Sequence, residues 1–226
     1  MNQNHKSLPA IEQTPQIMSE LVRAAETLSR IGPAASIFGS ARLAPDSPFC
    51  HLAQDIGARL AKAGLTVIAG GGPGIMHAAN QGAFEAGGTS VGLNIKLPAE
   101  ASNNPFQTID LQFEYFYSRK ATFFMHSMAY IALPGGFGTL DELFEALTLI
   151  QTGKIPPGPV ILVGSAFWTG LIQWLNQEVL SLGMVTDSHM SLFQIEDDPE
   201  TIVNLVMAYE YSHLEQANRP SSLPRS

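Results

Sequence analysis

Residues 65–93 read LTVIAGGGPGIMHAANQGAFEAGGTSVGL, and this stretch carries the clearest sequence signal of the fold class. A β-rich apolar run at 65–69 leads straight into a glycine-rich turn, a helical pattern covers 74–86, and a second β-rich run follows at 90–93. Gly87 and Gly88 end the helical pattern, as glycines commonly do. Two strands that are joined through a helix pair in parallel, so the stretch predicts a βαβ unit.

The same alternation continues on both sides of this unit. Ser47 suits a helix cap, Pro48 suits the first helical position, and Gly64 follows the end of the helix between them. Further predicted strands lie at 35–38, 108–113, 130–133 and 160–163, and further predicted helices lie at 48–63, 118–128, 139–150, 167–180 and 199–209. Strands regularly separated by helices predict an α/β fold, namely a Rossmann-like, doubly wound, mostly parallel sheet with helices on both faces.

The two ends of the chain differ from this body. Residues 1–16 and 214–226 are polar and contain prolines, so we expect flexible tails there. Residues 17–213 are expected to form a single Rossmann-like domain, which opens with an amphipathic helix at 17–31.

Composition excludes several classes of function. The formal net charge is −8 and no cluster of Lys or Arg occurs, which disfavours a nucleic-acid polymer as a partner. No apolar signal core is present, and no apolar run reaches the roughly 18 residues of a membrane span, so we expect a cytoplasmic protein without membrane contact. The lone Cys50 is expected to be a buried, inert thiol. The six histidines show no metal-ligand spacing, and we predict no metal site.

The first glycine turn reads GGGPG at 70–74 and directly follows a predicted strand. Because glycines carry no side chains, several backbone N–H groups of this turn can point at a bound anion. A tight strand-to-helix turn needs glycine in any case, but three consecutive glycines exceed that need. We therefore expect ligand contact around this turn and the turn after the first strand, at Ser40, Gly71, Gly72, Gly74 and Met76.

The second glycine turn lies within the sequence PGGFGTLDE at 134–142, which combines glycines, a hydroxyl and two carboxylates. A phosphate at the start of the following helix would meet free N–H groups and the positive end of the helix dipole. Thr139 either caps the helix or binds a phosphate oxygen. Acids in a first helical turn often compensate the dipole, but that explanation accounts more easily for one acid than for Asp141 and Glu142 together.

Neither turn matches the common nucleotide motifs. No Lys follows the glycines as in a P-loop, and neither turn has the full G-x-G-x-x-G of dinucleotide folds. These departures disfavour ATP hydrolysis and nicotinamide chemistry, and a nucleoside monophosphate fits two short turns better. We predict no cofactor.

Arg119 and Lys120 begin a predicted helix that leads to the strand before the second turn. Arg119, Thr122 and His126 are expected on its polar side, and the residues expected toward the core are Ala121, Phe124, Met125 and Met128. Ligands of parallel sheets collect where strands end and helices start, which predicts that Arg119 lies near Glu142. The dipole disfavours a cation at a helix start, so this placement favours a functional role. The aromatic residues at 115–117 are expected to pack in the core or an interface rather than stack on a base.

Taken together, the motif at 70–76, the Arg119–Lys120 pair and the P-G-G-x-G-T-x-x-E motif at 134–142 resemble the Lonely Guy (LOG) family, formerly often labelled lysine decarboxylases. The resemblance covers roughly residues 36–206, and the last motif is its specific signal. It implies a homodimeric phosphoribohydrolase that cleaves the N-glycosidic bond of a nucleoside 5′-monophosphate. The substrate it implies is AMP or an N6-modified AMP, a cytokinin riboside monophosphate, and the products are the free base and ribose 5-phosphate.

The resemblance also implies roles for individual residues. Arg119 and Glu142 would be the catalytic pair, with the carboxylate stabilising positive charge on the sugar. The implied substrate-binding residues, whose glycines hold the phosphate, are Glu100, Lys120, Gly135, Gly136, Phe137, Gly138, Thr139 and Thr148.

A function from another class stays open. Related Rossmann-like proteins bind the molybdenum cofactor, so a non-catalytic nucleotide or molybdenum-cofactor carrier is the alternative. A pure carrier has no use for Glu142 beside an anion site, which discriminates the two. The lysine decarboxylase label would require pyridoxal phosphate, for which the sequence gives no independent support.

Overall fold

A seven-stranded, entirely parallel sheet forms the centre of the protein in a computed structural model that describes residues 10–97 and 104–217. The strand order is β4-β3-β2-β1-β5-β6-β7. The strands are β1 (Ala34–Phe38), β2 (Thr66–Ala69), β3 (Ser90–Ile95), β4 (Ile109–Phe113), β5 (Ala129–Ala132), β6 (Val160–Leu162) and β7 (Gln194–Ile195). The predicted α/β class and parallel sheet are confirmed.

Helices cover both faces of this sheet. They are α1 (Ala10–Leu28), α2 (Pro48–Lys62), α3 (Ile75–Glu85), α4 (Phe116–His126), α5 (Phe137–Gln151), α6 (Ser165–Trp174), α7 (Asp187–Met190) and α8 (Pro199–Ala217). A π-helical segment, Leu175–Leu180, continues α6. In α2, Ser47 accepts a hydrogen bond from the N–H of Phe49, Pro48 is the first helical residue, and Gly64 follows with a φ of 87°. The predicted boundaries of this helix are confirmed to within a residue.

Two apolar cores lie on opposite faces of the sheet. Alternate residues of a strand point to opposite faces, and β1 accordingly places Ile37 in one core and Phe38 in the other. The first core packs the sheet against α2, α3 and α8, and includes the buried Cys50. The second packs it against α1, α4, α5 and α6, with Trp168 fully buried. Two covered faces make the sheet doubly wound, as predicted.

The strand order reverses at β1. From β1 the sheet continues through β2, β3 and β4 on one side and through β5, β6 and β7 on the other. Phe38 at the end of β1 pairs with Ala132 at the end of β5, so the loops that follow these strands leave the sheet side by side. In open α/β sheets the crevice at such a reversal is where ligands bind.

Several predicted boundaries were wrong. Helix α1 begins at Ala10 rather than at 17, and α8 extends to Ala217 rather than ending at 209, so residues 10–16 and 214–217 are helical and not tails. Residues 11–16 are mostly exposed and include Pro15, so they lack the apolar period that marks a helix in a sequence. The short α7 and the two-residue β7 were not predicted, because so few residues show no period.

Among the helices of residues 10–97 and 104–217, none has the length and apolar character needed to cross a membrane.

Candidate active site

A cavity of about 550 Å³ opens at the carboxyl ends of the central strands, where the strand order reverses. The loop after β1 contributes residues 39–42 to its lining, and the first glycine turn contributes Gly70 and Gly72. The start of α5 contributes residues 136–140 and Glu142, and Arg119 enters from α4. Every motif that the sequence singled out therefore contributes to one cavity.

Ser40 fastens both glycine turns to the loop after β1. Its N–H donates to the carbonyl of Pro134 at 3.0 Å, and its own carbonyl accepts from the N–H of Ile75 at 3.0 Å. Its hydroxyl accepts from the N–H of Arg42 at 3.1 Å. Because three backbone segments meet at this residue, the cavity wall is fixed by hydrogen bonds rather than by side-chain packing alone.

The first glycine turn needs its glycines for close packing. Gly71 and Gly74 have φ values of 73° and 64°, on the left-handed side that favours glycine. A Cβ at Gly74 would collide with the carbonyl of Ser40, and one at Gly70 would collide with the guanidinium of Arg119. Gly72 lines the cavity together with Met76, whereas Gly71 and Gly74 do not appear in its lining among the described residues.

The second glycine turn leads into a helix start that is open toward the cavity. Gly136 precedes the first residue of α5, Phe137, and no side chain caps the helix. A Cβ at Gly136 or Gly138 would meet no atom within 4 Å. The first N–H groups of a helix have no partner within the helix, so this uncapped start presents free donors and the positive dipole end to the cavity.

The start of α5 at Phe137 corrects two expectations about this turn. Thr139 is the third helical residue and is buried, so it does not cap the helix. Asp141 and Glu142 lie beyond the first turn, which contains no acid. Dipole compensation falls off within one turn and therefore does not account for these carboxylates.

Arg119 is buried and held rigidly. Its Nε donates to the carbonyl of Leu93 at 2.7 Å and its Nη2 to the carbonyl of Gly70 at 3.2 Å. The guanidinium also lies 5.4 Å from the centroid of the Phe123 ring, within cation–π range. Burial lowers the pKa of Arg119 from its ordinary value, and the carboxylate of Glu142 opposes that shift.

Glu142 faces Arg119 across the floor of the cavity. The Arg119 Nη1 and Glu142 Oε1 atoms are 3.8 Å apart, and the Glu142 side chain is only 13% exposed. Burial raises the pKa of Glu142 to about 7, an effect that Arg119 reduces and the neighbouring Asp141 reinforces. A carboxyl group in a cavity that titrates near neutral pH is suited to acid–base or electrostatic catalysis.

Lys120 occupies a different position from its neighbour. Its Nζ lies 3.0 Å from Asp141 and 2.7 Å from Glu145, and so ties α4 to α5. Burial lowers the pKa of this amine, but the hydrogen bonds to Glu145 and Asp141 outweigh burial and raise it overall. Lys120 is absent from the cavity lining among the described residues. Its contacts link α4 to the residues of α5 that flank Glu142.

The predicted faces of α4 were wrong in part, since Phe124 is buried as expected but other residues lie on the opposite side from the one predicted. Arg119 and Thr122 are buried while Met125 is 63% exposed, because Arg119 packs over β3 and donates to the carbonyl of Leu93. The helix also begins two residues earlier than predicted. Phe116 and Tyr117 are 50% and 71% exposed, so they do not pack in the core of the chain, and Phe116 lines the cavity. Packing of these side chains in an interface stays a prediction.

The remaining predicted site residues lie apart from the cavity or outside the described part. Thr148 is exposed on α5 and donates its hydroxyl to the carbonyl of Phe144 at 2.7 Å. Gly135 packs against Thr139. Glu100 lies outside the described residues. Within the part of the chain that the structure describes, no cluster of three or more His, Cys, Asp or Glu side chains is placed to hold a metal ion.

Sequence reasoning missed several residues of the cavity wall. Arg42 reaches it from the loop after β1, and Ile95 and Leu97 reach it from the end of β3. Asn94, also in the wall, donates through its amide nitrogen to Asp110 at 2.7 Å and Gln107 at 2.9 Å. The signal that could have found them is their place at the carboxyl ends of β1 and β3, next to the ends of β2 and β5.

The chain matches a known protein family over more than half its length. A family model described as "Possible lysine decarboxylase" matches residues 76–206. A curated relative in Mycobacterium tuberculosis, named cytokinin riboside 5′-monophosphate phosphoribohydrolase, is 33% identical over 152 residues, with 66% of this chain and 80% of the relative covered. The protein of the same name in Mycobacterium marinum is 32% identical, with 69% and 84% covered. The chain belongs to the LOG family. A plant LOG protein from Arabidopsis thaliana, also named as such a phosphoribohydrolase, is 28% identical, with 75% and 80% covered.

Solved structures with the same fold include molybdenum-cofactor proteins. The molybdenum cofactor binding protein of Rippkaea orientalis is 23% identical with a TM-score of 0.57, and the match covers 79% of the LOG chain and 97% of the other. The molybdenum cofactor carrier protein of Chlamydomonas reinhardtii is 23% identical with a TM-score of 0.56, and the match covers 81% and 98%. At these identities the likeness shows the fold alone.

Proposed function

We propose that this protein is a phosphoribohydrolase that cleaves the N-glycosidic bond of a nucleoside 5′-monophosphate to release the free base and ribose 5-phosphate. The observation that carries the proposal is the buried carboxylate of Glu142, 3.8 Å from Arg119, in the same cavity as the uncapped start of α5. The names of the family relatives support the same class of reaction.

The phosphate is assigned to the start of α5. Backbone N–H groups at 136–139 have no capping partner, and the helix dipole adds positive potential there. With the phosphate at this end, the ribose extends along α5 toward Glu142, which lies little more than one turn further on. The cavity wall beyond is apolar at Ile95, Leu97 and Phe116, which suits an adenine or an N6-modified adenine.

Glu142 and Arg119 divide the chemical work. As the bond between C1′ and the base nitrogen breaks, positive charge develops on the ribose, and the ionised Glu142 stabilises it and orients the water that adds to C1′. The water proton passes to the departing base. Nε and Nη2 of Arg119 are already engaged by carbonyls, so the role assigned to Arg119 is to orient Glu142 and to donate from Nη1.

The test is release of free base. The purified protein is incubated with AMP, GMP, CMP and isopentenyladenosine 5′-monophosphate, and the products are separated by chromatography. We expect base release from at least one adenine nucleotide, a loss of kcat of about 10²–10⁴-fold in Glu142→Gln, and a large loss in Arg119→Ala. Glu85→Gln is the matched control, since Glu85 is an exposed carboxylate on α3 that bonds Gln54 and Gln81.

Two results would count against the proposal in different ways. If the wild type releases no base from any of the four nucleotides, the reaction class is wrong and a carrier function gains support. If Glu142→Gln keeps wild-type kcat, the reaction class survives but the role of Glu142 does not.

A further inference from the structure

Arg42 is a cavity residue that none of the motifs includes. It follows Ser40 in the loop after β1, and its N–H donates to the Ser40 hydroxyl at 3.1 Å. Ser40 is itself bonded to Pro134 and Ile75, so the backbone that carries Arg42 is fixed between the two glycine turns. Its side chain lines the same cavity as residues 136–140 of α5.

The charge of Arg42 is not neutralised by the protein. Among the described residues, no carboxylate forms an ion pair with it, whereas Arg59 on α2 pairs with Asp55 at 2.9 Å and Lys96 pairs with Glu114 at 3.4 Å. The residue is exposed, so its guanidinium keeps donors free for a ligand.

Arg119, the other cation that lines the cavity, has few donors left for a bound phosphate. Arg119 is buried, gives two donor groups to backbone carbonyls and faces Glu142. Lys120 is engaged by Asp141 and Glu145. Of the charged side chains that line the cavity, Arg42 is therefore the one free to neutralise a bound dianion.

The negative net charge of the protein makes an unpaired cation at the cavity important for binding phosphate. A protein of formal charge −8 repels a phosphate dianion at long range, and a local cation at the mouth of the cavity reverses that repulsion. The N–H groups at the start of α5 supply hydrogen bonds and partial charge but no full positive charge.

We propose that Arg42 is the specificity-determining residue that recognises the 5′-phosphate, so that the site selects nucleoside monophosphates over nucleosides. This inference rests on the proposed function for the choice of ligand. Its planar guanidinium binds two phosphate oxygens on the side opposite the start of α5, and leaves the reacting ribose to Glu142 and Arg119.

The experiment compares AMP with adenosine in wild type, Arg42→Ala, Arg42→Lys and Arg59→Ala. The last variant is the matched control, because it removes the same charge from an exposed site outside the cavity. Affinity is measured by isothermal titration calorimetry with Glu142→Gln added to each protein, so that AMP is not consumed, and kcat and KM are measured by base release with Glu142 intact.

In Arg42→Ala we expect KM and Kd for AMP to rise about 10- to 100-fold while kcat changes little and adenosine is unaffected. In Arg42→Ala the salt dependence of kcat/KM for AMP becomes weaker, because the charge is lost. Arg42→Lys keeps the charge and recovers part of the affinity. Arg59→Ala behaves like the wild type.

The inference is overturned if Arg42→Ala keeps the wild-type affinity for AMP, or if it weakens AMP and adenosine by the same factor. Calorimetry tests the role of Arg42 in binding AMP separately from the proposed hydrolase activity. A protein that binds AMP through Arg42 but releases no base would retain the inference and refute the hydrolase.

Discussion

The two glycine turns look alike in sequence and do different work in the structure. In the first turn, at 70–74, added side-chain atoms would strike Arg119, Asn94 and Ser40, so the glycines allow the chain to pack tightly. In the second, at 135–138, the positions of Gly136 and Gly138 open onto free space at an uncapped helix start. The first turn thus builds the wall that holds Arg119, and the second leaves N–H groups exposed at the helix start, where we propose that the phosphate binds.

This difference separates a structural role from a binding role within one motif type. Glycine is required wherever the backbone takes a positive φ or a neighbour comes too close, and a sequence does not distinguish these needs from ligand contact. The second turn is followed within four residues by the carboxylate of Glu142, whereas no acid follows the first turn at that distance. Substitutions in the first turn should therefore cost stability, and substitutions in the second should cost binding.

The largest effect is expected for Gly74→Ala. The φ of 64° strains an L side chain, and its Cβ would collide with the carbonyl of Ser40, which cannot move without releasing Ile75. We expect a loss of at least about 3 kcal/mol in the free energy of unfolding, measured by urea denaturation. A variant that unfolds at the wild-type urea concentration would show that the first turn is not under this packing constraint.

Glu142 should make the protein less stable as the pH rises. Below pH 4.5 the carboxyl is protonated in both the folded and the unfolded state; between pH 4.5 and about 7 only the unfolded state ionises, so the free energy of unfolding falls. Above about pH 7 the loss is complete, at up to about 3 kcal/mol.

The Glu142→Gln variant isolates this contribution. It should be more stable than the wild type in urea denaturation at pH 8 and about equal to it at pH 4, while Glu85→Gln shows neither effect. A Glu142→Gln protein that is less stable than the wild type at pH 8 would mean that the carboxylate supports the fold rather than straining it.

Ionisation of Glu142 lowers the stability of the protein, but it should raise the catalytic rate. Because the proposed mechanism uses the ionised carboxylate, kcat/KM for AMP should fall about tenfold per pH unit below about pH 7 and level off above it. The negative charge of Asp141 raises the pKa of Glu142, so Asp141→Asn should move the midpoint to lower pH. A rate that rises as the pH falls would assign the protonated acid, not the carboxylate, to catalysis.

The smallest effect, and the sharpest contrast with Gly74→Ala, is expected for Gly138→Ala. Alanine favours the helix and meets no atom within 4 Å, so stability should rise by about 0.5–1 kcal/mol. The added methyl group projects into the space where we propose that the phosphate binds, so KM for AMP should rise about tenfold, a change of roughly 1.4 kcal/mol. Unchanged KM, measured in the base-release assay, would place the phosphate elsewhere.

Much of the fold could be predicted because its signals are local. In the strand-turn-helix stretch at 65–93, glycines mark the ends of the elements, and Ser47 and Pro48 mark the start of α2. The start of α1 at Ala10 could not be predicted, since its exposed first turns have no apolar face. The buried face of α4 was misjudged because Arg119 was treated as a solvent-facing cation. In the structure it is buried and donates hydrogen bonds to the carbonyls of Leu93 and Gly70.

The candidate site was predictable only where chemistry and motif coincide. The P-G-G-x-G-T-x-x-E motif identified Glu142, and the carboxyl-end rule placed Arg119 near it, as the 3.8 Å separation bears out. Arg42 and Asn94 were not predicted, and Phe116 was not expected at the site, because what brings these residues to the cavity is the sheet order, which juxtaposes β1, β3 and α4 across long stretches of sequence.

We propose that the second turn holds the phosphate while Glu142 acts on the ribose. A crystal structure of Glu142→Gln with AMP bound tests it most directly. We expect the phosphate on the N–H groups of residues 136–139 with Arg42 alongside, and C1′ of the ribose facing residue 142. A phosphate bound at 70–74, or a ribose turned away from residue 142, would contradict the account.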